Sequence, residues 1–223
     1  MTDHDATDVK PSVALREATA AVHDRAEHST YMDDLLKGRL TRDAYYDLLG
    51  QLLFVYSALE ECGETVSATP VGEAMIDERL LRVGAIAADL TYLHGDHSWR
   101  EEIEPLPAAR AYVARLDEIA DARDGVAFAA HHYVRYLGDL AGGQVIGRMM
   151  KTHYELGEGG VETYNFADIP KIKPYRDGYR ETLDSLPELR ENLGRLTDEA
   201  KRAFILNIDL FDALGELHPS MGE

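Results

Sequence analysis

The sequence holds a single cysteine, Cys62, in 223 residues. That excludes a disulfide framework and any zinc or iron–sulfur site built on cysteine. No run of about 18 apolar residues occurs, so no transmembrane helix is expected. The start, MTDHDATDVK, is too acidic and polar for a secretory signal, and the end, LGELHPSMGE, is too polar for a tail anchor. Positive charge is scarce. Lys and Arg number 23, with Lys a small minority, against 41 Asp and Glu, for a net charge of −18. Such a field repels nucleic acid and anionic membranes, and it suits a positively charged protein partner or plain solubility. Internal repeats, low-complexity stretches and long linkers are also missing, and no convincing strand alternation is present. These absences point to a cytoplasmic, single-domain protein with neither nucleic acid nor membrane as its partner.

What is present is helical periodicity. With 45% hydrophobic residues, the chain can bury one sizeable core. The spacing predicts an amphipathic helix over 12–28. A second follows the N-cap Thr41 to about 66, with Leu48, Leu49, Leu52, Leu53, Val55, Tyr56 and Leu59 on its apolar stripe. Further helices are expected over 73–93, ended by Gly95-Asp96, and over 107–121. A long one spans 126–154, and another runs over 171–185. The last is capped by Thr197 and reaches about Leu214. The expectation is an all-α, single-domain, multi-helix array.

One stretch defies helix economy. HHYVRYLGDLAGGQVIG places Gly138, Gly142 and Gly143 inside the long helix, where each Gly costs roughly 1 kcal/mol relative to Ala. Positions 138 and 142 share a face, and Gly143 widens the bare patch. Two readings fit. The stretch is either a close helix crossing or a backbone platform on which a flat ligand lies, with a bend in the helix curving over it. Asp139, among the glycines, is either half of a surface ion pair with Arg135, worth under about 1 kcal/mol, or a carboxylate that holds water and delivers protons.

A second candidate constellation lies upstream. Arg16, Thr19, His23 and Glu27 are spaced to share one face of the first helix. Glu27 is placed to accept the free ring N–H of a metal-bound His23, and Arg16 to pair with an anionic part of the same ligand. Spacing alone does not prefer His23 over His28, which has Asp24 one turn before it. His131 and His132 are neighbours and point to different faces, so at most one of them can face a shared ligand.

The segments HHYVRYLGDLAGGQVIGRMM and LREATAAVHDRAEHSTYMDDLLKGRL resemble the heme oxygenases, and the soluble bacterial members in particular. The similarity continues through KIKPYRDGYRETL and AFILNIDLFDALG. It implies one heme oxygenase domain over 12–215, with 1–11 and 216–223 as flexible ends. In that fold heme is sandwiched between a proximal and a kinked distal helix. His23 matches the iron ligand and Glu27 its partner. Gly138, Gly142 and Gly143 match the distal glycines, and Asp139 the catalytic carboxylate. Propionate contacts map to Arg16, where Lys is usual, and to Tyr133, Lys171 and Arg180. Lys173 and Arg176 are neighbouring cations that leave this register open. Phe204, Asn207 and Phe211 match positions near the pocket. Ala141 stands where Ser is common.

The function implied is ring-opening of heme, with O2 and electrons from a reductase or ferredoxin, to biliverdin, CO and ferrous iron. In the reaction this implies, Asp139 works through water to protonate an iron-bound peroxide once. The implied protein is a monomer. The competing expectation is a non-catalytic heme-binding or heme-delivery protein on the same fold.

Overall fold

The computed structural model describes residues 9–220, and within them every regular element is helical. The expected N-terminal flexible segment lies outside the described residues except for its last three. Pro11 already opens α1 (Pro11–Glu27), where its missing N–H costs nothing. A short α2 (Thr30–Leu36) follows, capped by Ser29, whose side chain accepts from the Met32 N–H. The apolar stripe read from the sequence becomes α3 (Arg42–Val66), which buries Leu48, Leu49, Leu52, Val55, Tyr56 and Leu59. Thr41 occupies its N-cap position.

The single helix expected over 73–93 is in fact three pieces. These are α4 (Pro70–Met75), a 3-10 turn (Glu78–Leu80) and α5 (Val83–His94). The break arises because Asp77 caps locally, its side chain accepting from the Arg79 N–H, while Glu60 of α3 accepts from the backbone N–H groups of Arg82 and Val83. Gly95 ends α5 in the left-handed conformation (φ 100°), as the sequence required. The short α6 (Trp99–Glu102) and α7 (Pro107–Ala122) come next.

The long glycine-bearing helix is interrupted. Asp124 caps α8 (Gly125–His132), a π-helical turn covers Tyr133–Leu137, and α9 (Gly138–Tyr154) continues beyond it. The chain then passes through 3-10 turns at Glu158–Gly160 and Glu162–Tyr164. It closes with α10 (Ile172–Ser185), α11 (Pro187–Glu191) and α12 (Leu193–Leu217).

Thr197 is not the cap of the last helix. That helix starts at Leu193, because Leu193 and Leu196 already fall on its apolar face, and Thr197 donates back to the Gly194 carbonyl. The C-terminal boundary also moves outward. His218 bonds Asp47 at 2.7 Å and Ser220 bonds Asp34, so the packed body extends past residue 215. The C-terminal flexible expectation beyond Ser220 lies outside the described residues.

The core forms around α3 and α12. α12 lies along α1, α7 and α8, and α3 lies against α5 and α7. Buried leucines on these faces, among them Leu15, Leu49, Leu116, Leu196 and Leu210, are fully enclosed, and each contributes about 1.5–3 kcal/mol. Among the described residues no helix is long and apolar enough to cross a membrane.

Candidate functional site

The scaffold for the site is α12, which touches both halves of the constellation. On one side, the Phe204 ring meets the His23 ring edge-on at 5.4 Å. One turn further, the buried Asn207 accepts from Arg135 Nη1 at 2.6 Å. The two motifs that the sequence separates by more than a hundred residues thus meet on one helix face.

His23 lies on α1 with its side chain 48% exposed, and Glu27 Oε2 stands 3.6 Å from its Nδ1. That leaves Nε2 as the free ring nitrogen. His28, the alternative, ends α1, with Nδ1 at 2.9 Å from the Asp24 carbonyl. What separates the two is that His23 meets Phe204 of α12, the helix that also carries Asn207.

The distal side is built on the π-helical turn. A turn with one extra residue widens the backbone, and such turns concentrate at functional sites. Just beyond it, a Cβ added at Gly138 or at Gly142 would meet nothing within 4 Å. These two glycines therefore present bare backbone to open space, on a face continued by the exposed Ala141 and Val145. Gly143 does not widen that patch. A Cβ there would stand 3.1 Å from Tyr164 Cδ1, so Gly143 serves the packing of α9 on the 162–164 turn, as does Gly147.

Asp139 is 8% exposed, which rules out a surface ion pair. Tyr56 of α3 donates its hydroxyl to Asp139 Oδ2. Arg135 donates to the same hydroxyl oxygen from Nε at 3.2 Å and from Nη2 at 3.0 Å, and its Nη2 lies 3.8 Å from Asp139 Oδ1. Burial pushes the Asp139 carboxyl above its ordinary range, and the Arg135 charge and the Tyr56 bond only partly offset this. The result is a carboxylate with raised proton affinity, held by a rigid network beside bare backbone. Tyr56 reads in the sequence only as one of the apolar stripe; a tyrosine among leucines at a core position is the signal that could have found it.

The far end is lined by cations. Burial raises the Tyr133 phenol, while the guanidinium groups of Arg180, Arg16 and Arg176 and the hydrogen-bonded Thr19 pull it down. Arg176 Nε is buried with no hydrogen-bond partner among the described residues, the mark of a group awaiting an anion. Lys171 instead sits exposed just before α10, and Lys173 pairs with Asp177 at 3.3 Å. Lys171 lies outside α10, whereas the helix carries Arg176. Its position four residues before Arg180, on the same helix face, was the available signal. Phe211 lies half-buried further along α12.

Neither His131 nor His132 faces this space. His132 bonds the Tyr179 hydroxyl at 2.8 Å, and burial holds its pKa at about 3. His131 bonds Glu199 at 2.9 Å from Nε2 and the Tyr112 hydroxyl at 3.3 Å from Nδ1.

The profile of the family described as heme oxygenase matches residues 10–213. The chain belongs to the heme oxygenase family. Among its relatives, heme oxygenase 1 of a Nostoc species is 38% identical over 93% of this chain and 87% of its own length. The human protein named heme oxygenase 1 is also 38% identical, over 92% of this chain and 72% of its own length. The crystal structure of heme oxygenase-1 from the cyanobacterium Synechocystis in complex with heme superposes with a TM-score of 0.88 at 34% identity, covering 94% of each chain. As in the expected family fold, the architecture is all-α.

Proposed function

We propose that this chain is a biliverdin-forming heme oxygenase in which His23 holds the iron and Asp139 holds the proton that the reaction needs. The enzyme opens heme to biliverdin, CO and ferrous iron with dioxygen and supplied electrons. Bound heme contributes the iron that takes up dioxygen and the porphyrin edge that is oxidised.

The chain's own residues do the rest. His23 offers Nε2, and Glu27 at 3.6 Å on the Nδ1 side favours the tautomer that leaves Nε2 as the donor to iron. Arg16, Arg176, Arg180 and the Tyr133 hydroxyl gather where anionic side arms would lie. The unpartnered Arg176 Nε fits that role. Gly138 and Gly142 let a flat ligand approach the backbone, and their neighbours on this face, Ala141 and Val145, carry neither acid nor base.

The observation that carries the reading is Asp139, a buried carboxylate beside the open glycine face, bonded to Tyr56 and flanked by Arg135. Its raised proton affinity suits delivery of a proton through pocket water. Phe204 and Asn207 brace the two sides, the first against His23 and the second against Arg135. Electrons come from a reductase or ferredoxin, and a chain of net charge −18 suits a partner with a basic docking face. The protein works as a monomer in the cytoplasm.

The test is a hemin titration of wild type and Asp139→Ala, followed in air with an electron donor. Wild type should show a Soret band that decays as biliverdin absorption and CO appear. Asp139→Ala should bind hemin with unchanged affinity and lose turnover by about 10²-fold or more. Normal turnover in the variant removes Asp139 from the reaction. A stable hemin complex of wild type that never opens its ring favours a heme-delivery protein.

A further inference from the structure

Outside its own continuation, α9 rests chiefly on α2 and on the 162–164 turn. The α2 support lies at its far end, where the Tyr154 hydroxyl donates to the Leu35 carbonyl at 2.9 Å. The glycine-bearing half rests on Tyr164. Its ring lies against Gly143 and Gly147, and Gln144 Nε2 donates to the Tyr164 carbonyl at 2.9 Å.

Two buried charges converge on the short strap that carries this ring. Asp89 of α5, fully enclosed, accepts from the Glu162 N–H at 2.8 Å and from the Thr163 N–H and hydroxyl, both at 2.7 Å. Arg82, 6% exposed, donates to the Thr163 carbonyl at 3.4 Å and to the Asn165 carbonyl at 2.9 Å, and its guanidinium stacks over Phe166 at 4.0 Å. Burying a carboxylate and a guanidinium is costly unless each is fully bonded. Here Asp89 spends its bonds on the strap, and Arg82 ties the strap, through Nη1, to the Arg79 and Leu80 carbonyls that its Nη2 and Nε hold; the apex of the strap is a ring pressed on the back of the distal helix. The ring meets the side of α9 opposite the open face of Gly138 and Gly142.

We propose that Asp89 and Arg82 are positioning residues for the ring-opening reaction. They lock the 161–166 strap so that the Tyr164 ring sets the height of α9, and with it Gly138, Gly142 and Asp139, over the substrate. The ring is the wedge, and glycine at 143 and 147 lets it approach. The inference rests on the role given above to the distal glycines and Asp139.

Hydrogen exchange of the full-length chain, with and without hemin, tests it, together with the isomer composition of the biliverdin formed. In Tyr164→Leu and Asp89→Asn, amides 138–147 should exchange about tenfold faster or more, while those of α1 keep their wild-type protection. Hemin should still bind, and turnover should fall about tenfold or more with a broadened isomer mixture, since a displacement of about 1 Å is enough to misplace the reacting groups. Tyr164→Phe, which keeps the ring, should restore both readouts. Unchanged exchange at 138–147 in both variants overturns the proposal, as does a loss spread evenly over α1, α3 and α12. If Asp89→Asn does not fold, the Tyr164 pair decides alone. Asp139→Asn separates the two readings. Full turnover there defeats the role of Asp139 while the exchange result still stands, and lost turnover with unmoved Tyr164 variants defeats only the strap.

Discussion

The proximal and distal helices are built in opposite ways. α1 is an uninterrupted helix whose key side chain, His23, is about half exposed and meets Glu27 and Phe204. The distal segment is interrupted by a π-helical turn, and its key side chain, Asp139, is buried in bonds from Tyr56 with Arg135 and Asn207 behind it. A metal ligand needs reach and one correct nitrogen, which a plain helix face supplies. Proton delivery needs a fixed carboxylate of tuned affinity, which only a buried network supplies.

The largest effect should come from breaking the lightly built side. Removing an outer-shell partner of a metal ligand typically costs 10–100-fold. Glu27→Ala should therefore slow turnover by about tenfold or more, and His23→Ala should exceed 10²-fold. In His23→Ala the absorption spectrum of the hemin complex should also change. A wild-type spectrum in that variant would show that another side chain holds the iron.

A smaller effect separates the glycines. Gly142→Ala fills open space, so it should raise the folding stability of the hemin-free protein by about 0.5–1 kcal/mol while weakening hemin binding or turnover. Gly143→Ala meets Tyr164 at 3.1 Å and should not gain that stability. Thermal unfolding of the two variants, with and without hemin, gives the comparison, and equal stabilisation of both would blur the distinction drawn between them.

A pH-dependent effect concerns the distal helix root. Burial holds His132 at about pKa 3, below its ordinary value near 6.5. The unfolded chain therefore takes up a proton that the folded chain refuses. The stability this contributes is fully present above about pH 6.5 and is lost as pH falls toward 3, at about 1.4 kcal/mol per pH unit. Denaturant unfolding of wild type and His132→Gln across that window should show the steeper acid loss in wild type. Parallel curves would assign the acid sensitivity elsewhere.

The helices, the His23–Glu27 pair and the Gly138–Asp139–Gly142 cluster were legible because periodicity and local spacing are written in one dimension. What was not legible depends on partners far along the chain. The π-helical turn has no spacing of its own. Tyr56 serves the core and Asp139 at once. Lys171 falls outside α10, which begins at Ile172, while Arg176 lies on it. Gly143 looked like its neighbours and differs only because Tyr164 lies behind it.

The extra residue of the π-helical turn also acts as a phase shift. In a continuous α-helix, residues seven apart share a face. Gly138 would then lie below His131, pointing toward Tyr112 and Glu199 in the interior. The π-helical turn takes up one extra residue, so the glycines sit about 100° back from that position and face outward. Deleting a single residue between 133 and 137 would close the turn to an ordinary α-helix and leave the platform facing outward, whereas an unbroken α-helix of the full length would hide it, with every glycine and the carboxylate still present in the chain.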